Sequence, residues 1–159
     1  DMGKASLKAA DLPTTLPEET LIDYPVEIGG EPYNITCASV GNPHCVVFCD
    51  DPSALDLETL GPKFERASYF PERINTEFVR IVNEDTLRMR VYERGNGETV
   101  ACGTGACAAV IAATENGFVE KGKDITVKLV GGDLVVKYTD HEVILTGDAV
   151  LVYEGVVEY

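Results

Sequence analysis

The fold is decided by residues 104–115, which read Thr-Gly-Ala-Cys-Ala-Ala-Val-Ile-Ala-Ala-Thr-Glu. A helix formed by this segment is small and apolar all round, and a helix without a polar face is buried on every side. We therefore expect residues 104–115 to form the central helix of the molecule. The Asn116-Gly117 pair that follows predicts a left-handed cap at the end of this helix.

Short runs rich in Val, Ile and Tyr, several of them alternating apolar and polar residues, predict β-strands around this helix. They cover residues 33–40, 45–49, 76–82, 87–92, 125–130, 134–138, 143–145 and 150–156. The connections contain turn sequences such as Gly131-Gly132-Asp133, and connections this short join antiparallel strands. The sequence thus predicts an α+β fold, a mostly antiparallel sheet curled around a central apolar helix. Residues 56–68 carry a one-sided apolar stripe and predict one additional surface helix.

The chain has 159 residues, 45% of them hydrophobic, which suits one domain with its own core. We expect residues 1–159 to form a single domain and the polar residues 1–20 to be a partly irregular lead-in. The opening at Asp1 rather than at Met suggests a piece of a longer protein. A formal net charge of −14 argues against binding to nucleic acid or to an anionic membrane, because an acidic field repels phosphate.

The five cysteines are an odd number, and the chain shows neither a signal-like opening nor an apolar run long enough to span a bilayer. These features predict a cytoplasmic location with reduced thiols. Cys45 and Cys49 lie four residues apart, but no second Cys or His pair stands at zinc-ligand spacing. We therefore expect no metal site.

Cys102 directly precedes the predicted central helix. Free amides and the positive end of the helix dipole at that point favour negative charge, so we expect a thiolate to form readily and a carboxylate to bind beside it. Gly103 and Gly105 leave the backbone open to a ligand, and the Thr104 hydroxyl stands at the N-cap. Removing a proton from the carbon next to a carboxylate develops charge that such donors stabilise. A small residue in a tight strand-to-helix turn is the alternative interpretation of Cys102.

Three segments extend this pattern along the chain. They are Glu93-Arg94-Gly95 continued by Gly97-Glu98-Thr99 and Ala101-Cys102-Gly103-Thr104-Gly105-Ala106, then Gly41-Asn42-Pro43-His44, and Ile74-Asn75-Thr76-Glu77-Phe78. The first resembles the second-cysteine motif of the diaminopimelate epimerase family, and the other two agree with that family in order. Asp1-Met2-Gly3 resembles the stretch that crosses from the first half of such an enzyme into the second.

The resemblance implies two similar halves that enclose the substrate and contribute one catalytic cysteine each, without pyridoxal phosphate or metal. It implies that Cys102 is the second of these thiols and that the amides of Gly103 and Thr104 hold the reacting carboxylate. At the other end of the substrate, Arg94 would pair the distal carboxylate. The remaining roles that it implies are an acid near the ammonium group for Glu93, hydrogen bonds to the distal amino-acid head for Asn42 and Asn75, and tuning of the thiols for His44.

Each of these residues also has an ordinary interpretation. Asn42 before Pro43 is a common turn pair, His44 could lie at a strand edge, and Glu93 with Arg94 could form a solvated charge pair. Asn75 could simply open a strand. The agreement of all the segments in order favours the functional interpretation.

The first half of the enzyme and its cysteine are absent from these residues, so we expect the isolated chain to have no turnover. The surface that would face the missing half is exposed, and we expect self-association through it. The alternatives are a proline racemase, a phenazine-biosynthesis-type isomerase, and a non-catalytic module that binds a carboxylate ligand.

Overall fold

The computed structural model describes residues 1–158 and shows an α+β chain in which one large sheet packs on two α-helices. The strands in chain order are β1 (Tyr24–Ile28), β2 (Glu31–Ser39), β3 (Pro43–Phe48), β4 (Asn75–Asn83), β5 (Thr86–Glu93), β6 (Gly97–Thr99), β7 (Asp124–Leu129), β8 (Gly132–Tyr138) and β9 (Val143–Thr146). The helices are α1 (Leu57–Glu65), between β3 and β4, and α2 (Gly103–Glu115), between β6 and β7.

The sheet runs in the order β1-β2-β3-β4-β5-β7-β8-β9, and β6 pairs with β5. Two neighbouring pairs are parallel, β3 with β4 and β5 with β7, and all the other pairs are antiparallel. Each parallel pair is joined through a helix, because a parallel return needs a long crossover whereas a short turn reverses the chain. The prediction of a mostly antiparallel sheet is therefore confirmed, with the two exceptions where α1 and α2 intervene.

Helix α2 lies at the centre of the larger core. Residues 105–113 are all buried, and the helix contacts β2, β3, β4, β5, β7, β8 and β9. The prediction of a central helix buried on every side is confirmed, and its Gly117 has the left-handed φ of +75° expected after the helix end. A second core lies on the other face of β2, β3 and β4, where Phe64 of α1 packs edge-on against Phe78 of β4.

Side chains alternate between these two cores along the central strands, since successive strand residues point to opposite faces. In β3, Val46 belongs to the α2 core and Cys45 and Val47 belong to the α1 core. His44 therefore lies on the α2 face of β3. This alternation brings His44 toward the beginning of α2.

The boundaries of most predicted strands differ from the structure by one or two residues, and three differences are larger or of another kind. Helix α1 ends at Glu65 rather than at residue 68. Strand β1 was not predicted, because Pro25 interrupts the pattern, and the strand lies at the sheet edge, where proline is tolerated. Residues 150–156, predicted as a strand, form no strand and are exposed, with Val152 at 85% and Val156 at 95% exposure. A strand needs a neighbour to receive its hydrogen bonds, and the described residues provide none at that point.

The first twenty residues contain one short 3₁₀ turn, Ala9–Asp11, and isolated bridges from Ser6 to Ser39 and from Lys8 to Thr20. Among residues 1–158, no helix has the length and apolar character that a membrane crossing requires.

Candidate functional site

Cys102 is the N-cap residue of α2, which begins at Gly103. The sequence prediction that a helix begins directly after Cys102 is confirmed, and Cys102 is half-buried rather than sealed in the core. The prediction that Thr104 occupies the N-cap is wrong. Cys102 has extended backbone, with φ −140°, and its Sγ accepts a hydrogen bond from the Gly105 amide at 3.3 Å. The sulfur thus takes the place that a Ser or Asp oxygen usually takes in a helix cap.

The amides of Gly103 and Thr104 have no acceptor among residues 1–158. They belong to the first turn of the helix, whose N–H groups have no partner within the helix. Such groups bind anions, and here they lie one and two residues beyond the Cys102 thiol. A carboxylate and a reactive sulfur could therefore occupy neighbouring positions.

Gly105 does not have the predicted role of leaving the backbone open to a ligand. A Cβ atom at this position would lie 2.8 Å from Glu77 Oε1 and 3.2 Å from Cys102 Sγ. The space left by the absent side chain is therefore filled by the protein itself. Gly105 permits close approach of a buried carboxylate and not of a ligand.

A chain of hydrogen bonds runs from the sulfur into the core. Cys102 Sγ lies 3.5 Å from Thr104 Oγ1, which accepts a hydrogen bond from Asn42 Nδ2 at 3.2 Å. Asn42 Oδ1 lies 3.1 Å from His44 Nε2, and His44 Nδ1 lies 2.7 Å from Glu77 Oε1. His44 and Glu77 are both fully buried. The interpretation of His44 as an ordinary strand-edge residue is therefore wrong, and three parts of the chain contribute to one network.

Glu77 is the residue of this network to which the sequence prediction gave no role. It lies in the buried first half of β4, two residues after Asn75 and therefore on the same face of the strand. Its Oε2 is buried and has no hydrogen-bond partner in the part of the chain that the structure describes. Burial raises the pKa of Glu77, His44 opposes that rise, and the charge of Glu93 adds to it. A carboxylate in the middle of an otherwise uncharged buried stretch was the signal that could have identified it.

The pKa of Cys102 is raised, which contradicts the prediction of an easily formed thiolate in this chain. Burial is the largest cause, and the charges of Glu77 and Glu93 act in the same direction. Hydrogen bonds from Thr104 and from the Gly105 amide lower the pKa of Cys102, as the helix-start prediction requires, but they are outweighed. Removing a thiolate from water disfavours its charge more than these donors favour it.

A second group of residues holds the turn that follows β5. Asn75 Oδ1 accepts a hydrogen bond from the Arg94 amide at 2.9 Å, and Asn75 Nδ2 donates to the Pro43 carbonyl at 2.9 Å. The next amide, that of Gly95, donates to Glu65 Oε1 at 2.8 Å. Asn75 therefore fastens the Arg94 turn to β3, and Glu65, another residue that the sequence prediction missed, fastens it to α1.

Glu93 and Arg94 make separate contacts. Glu93 accepts a hydrogen bond from the Thr99 hydroxyl, and Arg94 Nη1 donates to the Glu72 carbonyl at 3.3 Å. No ion pair joins Glu93 to Arg94 within residues 1–158, so the interpretation as a solvated charge pair is not supported. Both side chains are partly exposed.

The two groups meet on the sheet, because His44 and Asn75 are direct partners on the parallel strands β3 and β4. The predicted residues Asn42, His44, Cys102 and Thr104 lie in one network, and Asn75 and Arg94 lie in the other. Glu93 acts on the first network through its charge, which raises the pKa of both Cys102 and Glu77.

A thiol that caps an apolar helix, next to free amides and a buried histidine–carboxylate pair, is an arrangement that can hold an anion beside an ionisable sulfur. The family model described as diaminopimelate epimerase matches residues 36–152, and the chain belongs to this family.

Several diaminopimelate epimerases are similar over nearly the whole chain. The protein of Thermosynechococcus vestitus is 48% identical, and the match covers 98% of this chain and 57% of the relative. The protein of Bacillus cereus is 48% identical and covers 100% of this chain and 56% of the relative. The protein of Acetivibrio thermocellus is 46% identical, with 99% and 56% covered. The chain thus spans a little over half the length of these relatives.

A solved structure of a Pseudomonas aeruginosa protein, described as a predicted epimerase, superposes with a TM-score of 0.49 at 17% identity. The superposition covers 97% of this chain and 58% of that one. A similarity at this level carries no further argument.

Proposed function

We propose that this chain is the C-terminal half of a cofactor-independent diaminopimelate epimerase and contributes the second of two catalytic cysteines, Cys102. The complete enzyme interconverts LL- and meso-diaminopimelate by removing and replacing the α-proton. One thiolate takes the proton from one face of the carbon, and the thiol of the other half delivers a proton to the opposite face. Neither pyridoxal phosphate nor a metal takes part in this scheme.

The position of Cys102 Sγ beside the unbonded amides of Gly103 and Thr104 is the observation that carries the proposal. When the α-proton leaves, negative charge develops on the neighbouring carboxylate, and fixed amide donors stabilise that charge. The same helix start therefore holds the carboxylate and places the sulfur next to the α-carbon. Family membership adds the substrate named for its relatives.

The second group of residues serves the distal end of the substrate in this proposal. The planar guanidinium of Arg94 pairs the distal carboxylate, and Glu93 lies near the ammonium group. Asn42 and Asn75 supply amide groups for the distal head. The anchoring of the Arg94 turn by Asn75 and Glu65 supports a fixed distance between this subsite and Cys102.

The remaining parts of the proposal concern assembly. Residues 1–159 form a single domain whose sheet curls around α2, and residues 1–20 lead in from the preceding half. The contacts of α2 with seven strands of the sheet support this arrangement. The partner is the missing N-terminal half, the enzyme acts in the cytoplasm, and no nucleic acid or membrane takes part.

The proposal is tested by complementation. LL- and meso-diaminopimelate are incubated in deuterated water with the chain alone and with the chain mixed with the N-terminal portion of the Thermosynechococcus vestitus relative. We expect no inversion by the chain alone, and inversion with α-deuterium incorporation in the mixture. The matched control is Cys102→Ser, which replaces the sulfur by an oxygen that can still cap the helix and so removes the thiol.

Turnover by the chain alone, at a rate near that of the intact relative, would overturn the half-enzyme proposal. Equal activity of the Cys102→Ser mixture would overturn the role of the thiol. Binding of diaminopimelate without inversion in any mixture would favour the carboxylate-binding module instead.

A further inference from the structure

The chain of hydrogen bonds that leads from Glu77 through His44, Asn42 and Thr104 to Cys102 has one direction in this structure, which the orientation of the Asn42 amide defines. Asn42 presents its Oδ1 to His44 Nε2 and its Nδ2 to Thr104 Oγ1. An amide oxygen only accepts and an amide nitrogen only donates, so His44 Nε2 must carry a proton in this arrangement.

The other ring nitrogen of His44 faces a second acceptor, Glu77 Oε1, at 2.7 Å. If Glu77 is ionised, oxygen acceptors face both ring nitrogens, and His44 then holds two protons as an imidazolium. Among residues 1–158, its ion-pair partner is Glu77, whose second oxygen is buried without a partner. A charge buried this deeply persists only when it is paired.

The same donor-to-acceptor direction continues from Asn42 through Thr104 to the sulfur of Cys102. The Thr104 hydroxyl accepts the proton of Asn42 Nδ2, and its own proton remains free to point at Cys102 Sγ, 3.5 Å away. A hydroxyl that donates to sulfur stabilises the thiolate rather than the thiol.

The reverse direction is reached when His44 is neutral. The Asn42 amide then turns, its nitrogen donates to His44 Nε2, and its oxygen accepts from the Thr104 hydroxyl. Thr104 can now only accept from the protonated Cys102 thiol. The two arrangements hold the same number of protons, because the proton that Cys102 loses in the first is the one that His44 gains.

We propose that Glu77 is a positioning residue for Cys102. By keeping His44 doubly protonated, Glu77 fixes the hydrogen-bond direction in which Thr104 donates to the sulfur. The proposal rests on the proposed catalytic role of Cys102 and adds Glu77, together with the orientation of the Asn42 amide, to its machinery.

The direction in which removal of Glu77 changes the ionisation of Cys102 distinguishes this proposal from a plain charge effect. Cys102 is faced by the carboxylates of Glu77 and Glu93 and by the Cys107 thiol, and Glu77 is faced by His44 and Glu93. As a bare negative charge, Glu77 opposes ionisation of the thiol, so its removal would favour the thiolate. As a positioning residue, Glu77 supports the thiolate through His44, so removal of Glu77 disfavours the thiolate.

The first test observes His44 directly. Long-range ¹⁵N–¹H correlation spectra of the chain at neutral pH report the protonation of its two histidines, and His141→Gln assigns the signals. We expect both ring nitrogens of His44 to be protonated in the unaltered chain, and one to lose its proton in Glu77→Gln. A single neutral tautomer in the unaltered chain would overturn the proposal, even if Glu77→Gln does not fold.

The second test measures the rate at which iodoacetamide alkylates Cys102, followed on its own peptide by mass spectrometry. For Glu77→Gln we expect the rate at neutral pH to fall by about tenfold, the change in thiolate fraction that corresponds to one pKa unit. Glu93→Gln removes a carboxylate that is not part of the hydrogen-bond chain from Glu77 to Cys102, and this change should raise the alkylation rate. Thr104→Val removes the hydroxyl that connects Asn42 to Cys102. In that variant, Glu77→Gln should not lower the alkylation rate further.

A faster reaction in Glu77→Gln, or equal effects of this change with and without Thr104, would overturn the proposal. Circular dichroism checks that each variant is folded. Neither readout needs turnover, so a failed complementation leaves this inference intact, and a reversed alkylation result leaves the proposed epimerase function intact.

Discussion

Cys102 shows what a single residue contributes at two levels, since its sulfur caps α2 and is also the proposed acid and base. The position of the thiol before the helix could be predicted from Gly103, Gly105 and the apolar run that follows. The direction of its pKa shift could not be predicted, because that depends on burial and on the carboxylates of Glu77 and Glu93. Those residues lie 25 and 9 positions away in sequence.

The contacts of Glu77 define the limit of prediction at this scale. The segment around it was recognised, but its partner His44 is 33 residues away and meets it only through the parallel pairing of β3 with β4. Local sequence contains no information on which strands become neighbours across a helix. The role of Asn75 in fastening the Arg94 turn to β3 was missed for the same reason, because its bond to the Pro43 carbonyl depends on that parallel pairing.

Gly105→Ala tests the packing at this point. Its Cβ would meet Glu77 Oε1 at 2.8 Å and Cys102 Sγ at 3.2 Å. Overpacking costs about 1–3 kcal/mol, and the better helix propensity of Ala returns about 1 kcal/mol, so we expect a net loss of up to about 2 kcal/mol in urea unfolding. Gly103→Ala is the matched control, because its Cβ meets only the end of the Leu145 side chain, at 3.0 Å. A Gly105→Ala chain as stable as Gly103→Ala would contradict this packing.

Among the elements, those with strong local patterns were predicted well. The central helix was placed within one residue of its observed bounds because nine successive buried residues leave no other structure that fits. Strands β7 and β8 were predicted to within two residues of their bounds from the turn between them. The tail at residues 150–156 has an equally strong apolar pattern but forms no strand. Pattern predicts the tendency to pair, and pairing also requires a neighbour.

The end of α2 is tied to β8 by an ionisable cluster that makes a pH prediction. Tyr138 donates from its hydroxyl to Glu115 Oε1 at 3.0 Å, and Lys121 lies between Glu115 and Asp140. Burial, followed by the bond to Glu115, raises the pKa of Tyr138 from 10.0 to about 12. Between these values the unfolded tyrosine loses its proton while the folded one keeps it, so stability must fall as the pH rises.

We expect the free energy of unfolding in urea to fall by an amount on the order of 2 kcal/mol between pH 10.0 and about 12 through Tyr138 alone. Tyr138→Phe should remove this part of the decline. Tyr153→Phe, at a side chain that is 82% exposed, is the control and should leave the decline unchanged. Identical alkaline profiles for the chain and for Tyr138→Phe would contradict the assignment.

At the scale of the whole molecule, a strong net charge and exposed apolar surface act against each other. The formal net charge is −14, which keeps copies apart at low salt. Next to the Cys102 loop, Val100 and Val130 are 62% and 65% exposed, and the Gly131 amide bonds to the Val100 carbonyl at 2.7 Å. These two valines form an exposed apolar surface beside the Cys102 loop, which we call the mouth of the site.

We expect the chain to self-associate through this mouth, more strongly at high salt because salt screens the repulsion. Light scattering should show a mass that rises with concentration, and the rise should weaken in Val100→Ser/Val130→Ser. Val82→Ser, at an exposed apolar residue at the far end of β4, is the control. A monomer mass at every concentration and salt level would contradict this expectation.

The helix cap at Cys102 has a practical consequence for anyone who labels this protein. A reagent that modifies the sulfur blocks the proposed chemistry and at the same time takes away the acceptor of the Gly105 amide. Loss of a cap costs about 0.5–2 kcal/mol, so an inactivated sample is also a less stable one. Inhibition by thiol reagents should therefore be measured together with a melting curve, because modification of Cys102 affects the stability of the protein as well as the reaction.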